Sequence, residues 1–521
     1  MKPDREREHA RAAGDSVGFD RVASHGLAFM VGNALPSVRT VRRPVQRSKV
    51  ACITNPVPSR FKPKRFVKGL VSIDRKRDRK ILGIALPALF TLMVEPMLSA
   101  VDTGFIGRLG VSELAGVGIA VALIRSSFAL FNFLAASTTP TVAAASDREE
   151  CSKIIVENMY VSLILGLLVA VLLLTFSPGA CSALAGKSSA DIVPIAVLYA
   201  RWRAIAAPAL FGGFVLSGAL RGLQDTITPL ISALASNGLN VVLDYITIYY
   251  LNWGVAGVAI ATSISQIANT VILLVAMLNR RIVNFKDLSR LPSMDTVRQV
   301  GFGAVLSIRT MSILATFISS SRLAASRGAV ALAGYEVARQ VWIFQAFVLD
   351  ALAVAAQSFI SGFLAKGNMF EARRYSSRLL QIGLWCGALL GVLVWASSSS
   401  IPALFVGDPA TREMAGTMLR YIAPLQPICA LVFVYDGIFI AARDFTYTAQ
   451  SIFLAGVGSW IALVYAASLP ATSVGAVWMG VNVLMIGRAV ALGSRYLSRR
   501  GPIPPSSDDD VEELEAPKPA Q

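Results

Sequence analysis

Long apolar runs separated by brief charged clusters dominate this chain. Residues 158–186, 379–407 and 445–487 carry no Asp, Glu, Lys or Arg, and residues 226–279 carry only Asp244. A helix crosses the hydrocarbon core of a bilayer with about 20 apolar residues. The first two runs therefore predict one span each. The runs 226–279 and 445–487 predict pairs, turned near Asn252-Trp253-Gly254 and near Pro470. The same reading along the whole chain predicts spans near 81–106, 117–145, 156–177, 192–220, 228–250, 254–279, 299–321, 330–362, 377–399, 411–441, 446–468 and 473–494. The fold class is an all-α polytopic membrane protein of twelve transmembrane helices. Gly383, Gly387 and Gly391 recur every four residues on one span, the spacing of a close helix contact.

Composition agrees: 54% of residues are hydrophobic and 16% charged, so lipid is the solvent of most of the chain. The net charge of +17 is placed unevenly. Residues 1–80 hold 20 Lys/Arg against 7 Asp/Glu, and residues 501–521 hold one Lys against six acids. One basic end thus accounts for the charge, and nucleic acid is not an expected partner. Both histidines, His9 and His25, precede the first span, which excludes a histidine triad or a histidine metal cluster within the membrane. Cys52, Cys151, Cys181, Cys386 and Cys429 show no paired spacing. Gly186-Lys187-Ser188 is not a phosphate loop, because Cys181 stands where that motif needs glycine and no strand precedes it. No metal site, no cofactor beyond a coupling ion and no enzymatic activity are expected.

From Arg21 to Ile73 there is no acidic residue, while Arg39, Arg42, Arg43, Arg47 and Lys49 are interspersed with Ser, Thr, Pro and Val. Residues 1–52 read as a disordered chloroplast transit peptide, with a disordered cytosolic tail as the alternative. Residues 53–80 form a basic juxtamembrane segment, 81–279 a first lobe of six spans, 280–298 an inter-lobe loop, 299–495 a second lobe, and 496–521 an acidic disordered tail. Basic residues such as Arg148, Lys153, Arg280, Arg281, Arg373 and Arg374 fall in loops on one side, which places both termini in the cytosol or stroma. The expected location is a chloroplast membrane, with the plasma membrane or another organelle as alternatives.

The two halves echo each other. Gly218-Ala219-Leu220-Arg221-Gly222-Leu223-Gln224-Asp225 parallels Gly437-Ile438-Phe439-Ile440-Ala441-Ala442-Arg443-Asp444, with Ala207-Pro208 and Ala423-Pro424 upstream. Leu114-Ala115-Gly116 parallels Leu332-Ala333-Gly334. Repeats of six spans are common in secondary transporters, in which two bundles rock about a midplane site. Three stretches add specificity: Val101-Asp102-Thr103-Gly104-Phe105-Ile106-Gly107-Arg108-Leu109-Gly110; Arg221-Gly222-Leu223-Gln224-Asp225-Thr226 with Pro229; and Leu349-Asp350-Ala351-Leu352-Ala353-Val354-Ala355-Ala356-Gln357. On these, residues 80–495 resemble the multidrug and toxic compound extrusion (MATE) family, in its DinF-like branch with plant organic-acid and chloroplast members. The resemblance implies two pseudo-symmetric six-helix lobes and export driven by an inward proton or sodium gradient.

A charge in an apolar span costs about 2.5–3.5 kcal/mol at the helix centre, so it faces a cavity or a partner. Asp244 is the only charge in 54 residues, and Asn240 lies one turn before it on the same face. The resemblance joins Asn240 and Asp244 with Asp102 and Thr262 as a first-lobe cation site. Desolvation favours a neutral carboxyl, so such groups can take up and release protons, and their oxygens can also hold Na⁺. Glu95 lies seven residues before Asp102, with Pro96 beside it as a candidate bend. Pro87 matches a first-helix proline whose bend the family links to protonation. In the second half, Arg309, Glu336, Arg339 and Asp350 form a mixed-charge set, serving either as ion pairs between helices or as substrate ligands. Some family branches place a carboxylate near Arg309, so this arginine argues against a second-lobe Na⁺ site. Arg221 with Asp225, and Arg443 with Asp444, sit at matching helix ends and read as loop-locking pairs.

Together these features predict a monomeric antiporter that exports a small organic solute in exchange for H⁺ or Na⁺. The solute is an organic anion such as citrate, by resemblance to plant relatives, or a drug or secondary metabolite. A lipid-linked precursor flippase of the same superfamily is the alternative. Membrane lipids are the other partners.

Overall fold

The computed structural model describes residues 74–185, 191–289, 291–470, 473–498 and 501–503. The transit-peptide reading of residues 1–52 lies outside them, as does the tail after 503. Sixteen α-helices make up the framework among the described residues. They are α1 Arg75–Gly107, α2 Val111–Ala129, α3 Phe133–Ala143, α4 Arg148–Ala185, α5 Val193–Ala204, α6 Ala207–Gly222, α7 Ile227–Tyr245 and α8 Gly254–Asn279. Then follow α9 Met294–Ala304, α10 Leu306–Ser326, α11 Ala329–Ala365, α12 Met369–Ala396, α13 Pro409–Ile422, α14 Gln426–Ala441, α15 Phe445–Ser468 and α16 Met479–Leu497. Taken with their short breaks they supply eleven candidate spans, or twelve when α5 and α6, bent by 51°, count as one.

Prolines set the main bend. Pro208 in the first turn of α6 cannot donate a backbone hydrogen bond to the helix before it, so α5 and α6 part there. Pro424 and Pro427 stand at the corresponding junction of α13 and α14, a short 3₁₀ turn, but there the two helices continue as one candidate span. Two expected spans prove to be broken as well: 117–145 divides into α2 and α3, and 299–321 divides into α9 and α10. By contrast α1 is continuous through Pro87 and Pro96, and Thr91 Oγ1 donates to the Pro87 carbonyl at 2.8 Å.

Each lobe repeats one packing plan. The first-lobe pairs α1 on α7, α2 on α5, α3 on α6, α4 on α6 and α7 on α8 are matched by α10 on α15, α11 on α13, α11 on α14, α12 on α14 and α15 on α16. Glycines mark the tightest approaches at equivalent points. A Cβ on Gly218 would stand 2.4 Å from the Ala135 carbonyl oxygen, and one on Gly437 would stand 2.5 Å from that of Ala353. Gly166 meets Pro208 as Gly387 meets Pro427, and Gly116 meets Ile195 as Gly334 meets Met414. Gly383, Gly387 and Gly391 all face α14 or the turn before it, so the four-residue spacing is a helix contact. The outer faces are apolar and exposed, as with Ile164, Leu168 and Val171 on α4 and Trp385, Val392 and Trp395 on α12. Such surfaces suit lipid rather than water.

Three boundaries differ from the sequence reading. The basic run 75–80 is not a separate segment before the membrane but the first turns of α1, capped by Asp74, whose side chain accepts from the Arg77 N–H at 3.1 Å. The inter-lobe connection is structured and tied to the first lobe: Ser152 donates to Asp287 at 2.6 Å, and Glu157 accepts from the Ser293 hydroxyl at 2.7 Å. It continues into α9, which packs on α3 and α4, so the chain crosses to the second lobe near Val305 rather than at 299. The start of the tail is packed, because Ile503 is buried and its carbonyl accepts from Arg373 at 2.8 Å.

Candidate functional site

In the first lobe, α1, α5, α7 and α8 bring Asp102, Tyr199, Asn240, Asp244 and Thr262 together. All five are buried, Asn240 and Asp244 at 0% exposure. The Asp102 and Asp244 carboxyls lie close enough to interact directly, a pair of acids buried side by side on α1 and α7. With its amide in the orientation that satisfies both neighbours, Asn240 donates its side-chain N–H to Asp102 Oδ1 and accepts from the Thr262 backbone N–H, each at 3.2 Å. The Thr262 hydroxyl donates to the Val258 carbonyl at 2.8 Å and also meets the Tyr199 hydroxyl. Asp244 Oδ1 has no hydrogen-bond partner. A π-helical turn, Ile246–Tyr250, begins two residues after Asp244, a distortion that often marks functional sites.

Tyr199 and Arg203 are additions to the set expected from sequence. Arg203 is buried, lies within electrostatic range of Asp102 and leaves Nη1 without a partner. Its signal was present in the chain, since it is a charge within an apolar span, the same test that singles out Asp244. Glu95 does not join the site. Its side chain is 81% exposed and sits 3.9 Å from Arg125 on α2, seven residues and about 10 Å along α1 from Asp102.

The second lobe divides its charges into two groups. Glu336 and Arg339 pair with each other one turn apart on α11, with Arg339 Nε donating at 2.9 Å. Arg309 on α10 instead reaches Asp436 on α14 at 3.1 Å, and Asp436 also binds Arg488 on α16. Asp436 and Arg488 are both 2% exposed. Asp350 on α11 lies within electrostatic range of Arg309, Asp436, Arg488 and Arg221. Sequence reasoning missed Asp436 and Arg488, although each is a charge in an apolar helix.

The residues expected to form the pairs Arg221–Asp225 and Arg443–Asp444 take other partners. Asp225 binds Arg280 and accepts from the Thr228 N–H at 2.9 Å and its hydroxyl at 2.6 Å. Burial pushes the Asp225 carboxyl up, but the Thr228 hydrogen bonds and the Arg280 charge outweigh it and hold it below the usual carboxylate range. Asp444 pairs with Arg495 at 3.1 Å. Arg221 points inward toward Asp350. Arg443 crosses between the lobes and donates to the Pro140 carbonyl at 2.9 Å, and Ser358 donates to the Arg221 carbonyl at 2.7 Å. The start of α1 joins the closure through a two-pronged ion pair, Asp78 with Arg378 on α12, both contacts at 2.7 Å. The lobes are thus fastened together on the face that carries the basic loops.

Two bundles of one plan, enclosing buried charges that differ between them, define a secondary transporter. The MatE family model matches residues 87–246 and again 306–465, and the chain belongs to that family of efflux transporters, whose members are not enzymes. The two matched stretches begin as far apart as Gly218 and Gly437. Among its relatives, Protein DETOXIFICATION 44, chloroplastic, of Arabidopsis thaliana is 32% identical over 461 residues, covering 86% of this chain and 87% of the relative. DNA damage-inducible protein F of Escherichia coli is 27% identical over 437 residues, covering 80% and 91%. The fold is that of a MATE crystal structure in the bent conformation, with a TM-score of 0.72 at 20% identity over 82% of this chain and 95% of that one.

Proposed function

We propose that this protein exports a small organic solute in exchange for protons, with Asp102 and Asp244 as the proton carriers. The observation that carries this reading is the closeness of two buried carboxyls of different helices. Losing a proton from the pair leaves two negative charges side by side with little solvent, and that repulsion drives α1 and α7 apart. Asn240 and the Thr262 amide hold the pair in register, and the π turn gives α7 a place to yield. Proton binding therefore favours one arrangement of the first lobe and release the other, which couples proton flow to the exposure of the solute site. The solute is an organic anion, drug or secondary metabolite, and the chloroplast-type relatives support a plastid membrane.

In liposomes carrying a pH gradient, the wild-type protein should drive solute flux that collapses by about 10²-fold in Asp244→Asn, an order typical of losing a positioned proton carrier. Replacing external Na⁺ by K⁺ should leave wild-type flux unchanged. Flux in Asp244→Asn that equals wild type would sink the proposal.

A further inference from the structure

We propose that Arg309 is the ligand-binding group of a second site, in the C-terminal lobe, which takes the carboxylate of an organic anion. Arg488 and Asp436 serve as its positioning pair, and Asp350 sets its charge. The inference rests on transport of an organic solute but not on proton coupling at Asp244.

The first argument is charge balance. Three guanidiniums, Arg221, Arg309 and Arg488, face two carboxylates, Asp350 and Asp436. With both acids ionised the cluster retains an excess positive charge at membrane depth, where an uncompensated charge is costly. One anionic ligand cancels it.

The second argument is the distribution of contacts. Asp436 is bound from two sides, by Arg488 and by Arg309, yet the two arginines are not equivalent. Arg488 is 2% exposed, and its part is to hold Asp436 in the core. The Arg309 side chain is 23% exposed, so it is the arginine a solute can reach. Its Nε has no acceptor, and neither does Asp436 Oδ1 have a donor. A guanidinium presents its N–H groups as a fork that matches a carboxylate. Asp436 engages Nη2, while Nε is buried without an acceptor, so a solute carboxylate meets the exposed part of the guanidinium and takes up its fork as Arg309 turns away from Asp436. A solute carboxylate can therefore bind Arg309 and compete with Asp436 for it, while Arg488 keeps Asp436 neutralised. Asp436 keeps its ion pair with Arg488 through the exchange.

The third argument is Asp350. From α11 it lies within electrostatic range of Arg309 on α10, Asp436 on α14, Arg488 on α16 and Arg221 on α6. Protonating it removes one negative charge, raises the net charge of the cluster by one and strengthens anion binding. Falling pH therefore tightens the site, the opposite of what protonation of a ligand would do.

The test uses the purified full chain in nanodiscs with two anionic probes, benzoate and citrate, and benzamide as the neutral control, read by ligand-dependent melting temperature. Wild-type protein should bind the anions and not benzamide. Arg309→Gln should weaken the anions by at least about tenfold, the order of one charge-assisted contact. Arg309→Lys, which keeps the charge but loses the fork, should fall in between. Benzoate is ionised from about pH 6 to about pH 8. Its binding should strengthen as pH falls in wild type, whereas Asp350→Asn should bind equally at both, at the tighter level. Asp244→Asn should retain binding even where it loses coupled flux, so failure of the coupling reading is separable from failure of this one. The proposal is overturned if neither anion binds wild type, if folded Arg309→Gln or Arg309→Lys binds as wild type does, or if Asp350→Asn keeps the wild-type pH dependence.

Discussion

Among the described residues Asp436 is the acid that pairs with both Arg309 and Arg488, and this makes it the most sensitive single charge in the second lobe. Removing one partner of a buried ion pair costs about 3–5 kcal/mol because the other charge is left uncompensated. Asp436→Asn should therefore lower the melting temperature far more than Glu336→Gln, whose partner Arg339 is one-third exposed. Equal shifts in the two variants would show that the Asp436 network is solvated. Asp225 makes the corresponding test at the surface. Its carboxyl is held below the usual range by Thr228 and Arg280. Its stabilisation is thus present above the unfolded-state value and is lost as pH falls through the lower folded one. Asp225→Asn should remove that acid-dependent loss of stability between α6 and α7, as seen in hydrogen exchange of residues 222–228. At this scale the sequence was legible where a charge stood alone, as Asp244 does. It was not legible where contact decides the role. Only packing brings Tyr199 to Thr262 or sends Arg309 to Asp436 rather than to Glu336.

Among the elements, the apolar runs made most helices readable, and 254–279 coincides with α8. Breaks were harder, because Pro208 interrupts its span while Pro87 and Pro96 do not. A proline removes one backbone donor, and the surrounding packing determines whether the helix parts there. The caps after α6 and α14 show how closely the elements match. Gln224 and Arg443 both adopt positive φ, 62° and 57°, and Asp225 and Asp444 return N–H groups to Leu220 and Phe439 at 2.8 and 3.0 Å. The close glycine contacts are equally matched. Gly218→Ala and Gly437→Ala should each destabilise their lobe by about 1–3 kcal/mol, the cost of overpacking. Gly118→Ala, with nothing within 4 Å of an added Cβ, should not. Denaturant midpoints of the three variants check this, and a neutral Gly218→Ala would mean that α3 and α6 have room to separate.

Across the whole molecule, Arg443 to Pro140, Ser358 to Arg221 and Asp78 to Arg378 fasten the lobes on one face. The proposed exchange of solute for protons requires that face to open. Arg443→Gly separates the two roles of this residue, since glycine adopts positive φ without strain while losing the crossing hydrogen bond. The variant should keep its helix cap yet show faster hydrogen exchange at residues 139–143 and 358–362. Unchanged exchange there would mean that Arg443 takes no part in closure.

The repeated packing plan also bears on how such a molecule can come into being. Ser217 precedes Gly218 where Asp436 precedes Gly437, and α15, the counterpart of α7, carries no charged residue. The scaffold is duplicated, whereas its chemistry is not. Six spans return a chain to the side from which it started, so both copies enter the bilayer with the same orientation. Either half can then be synthesised first. A circular permutant that begins in the connection before α9 and rejoins α16 to α1 through a linker should insert correctly, with ancestry rather than gene order written into its architecture.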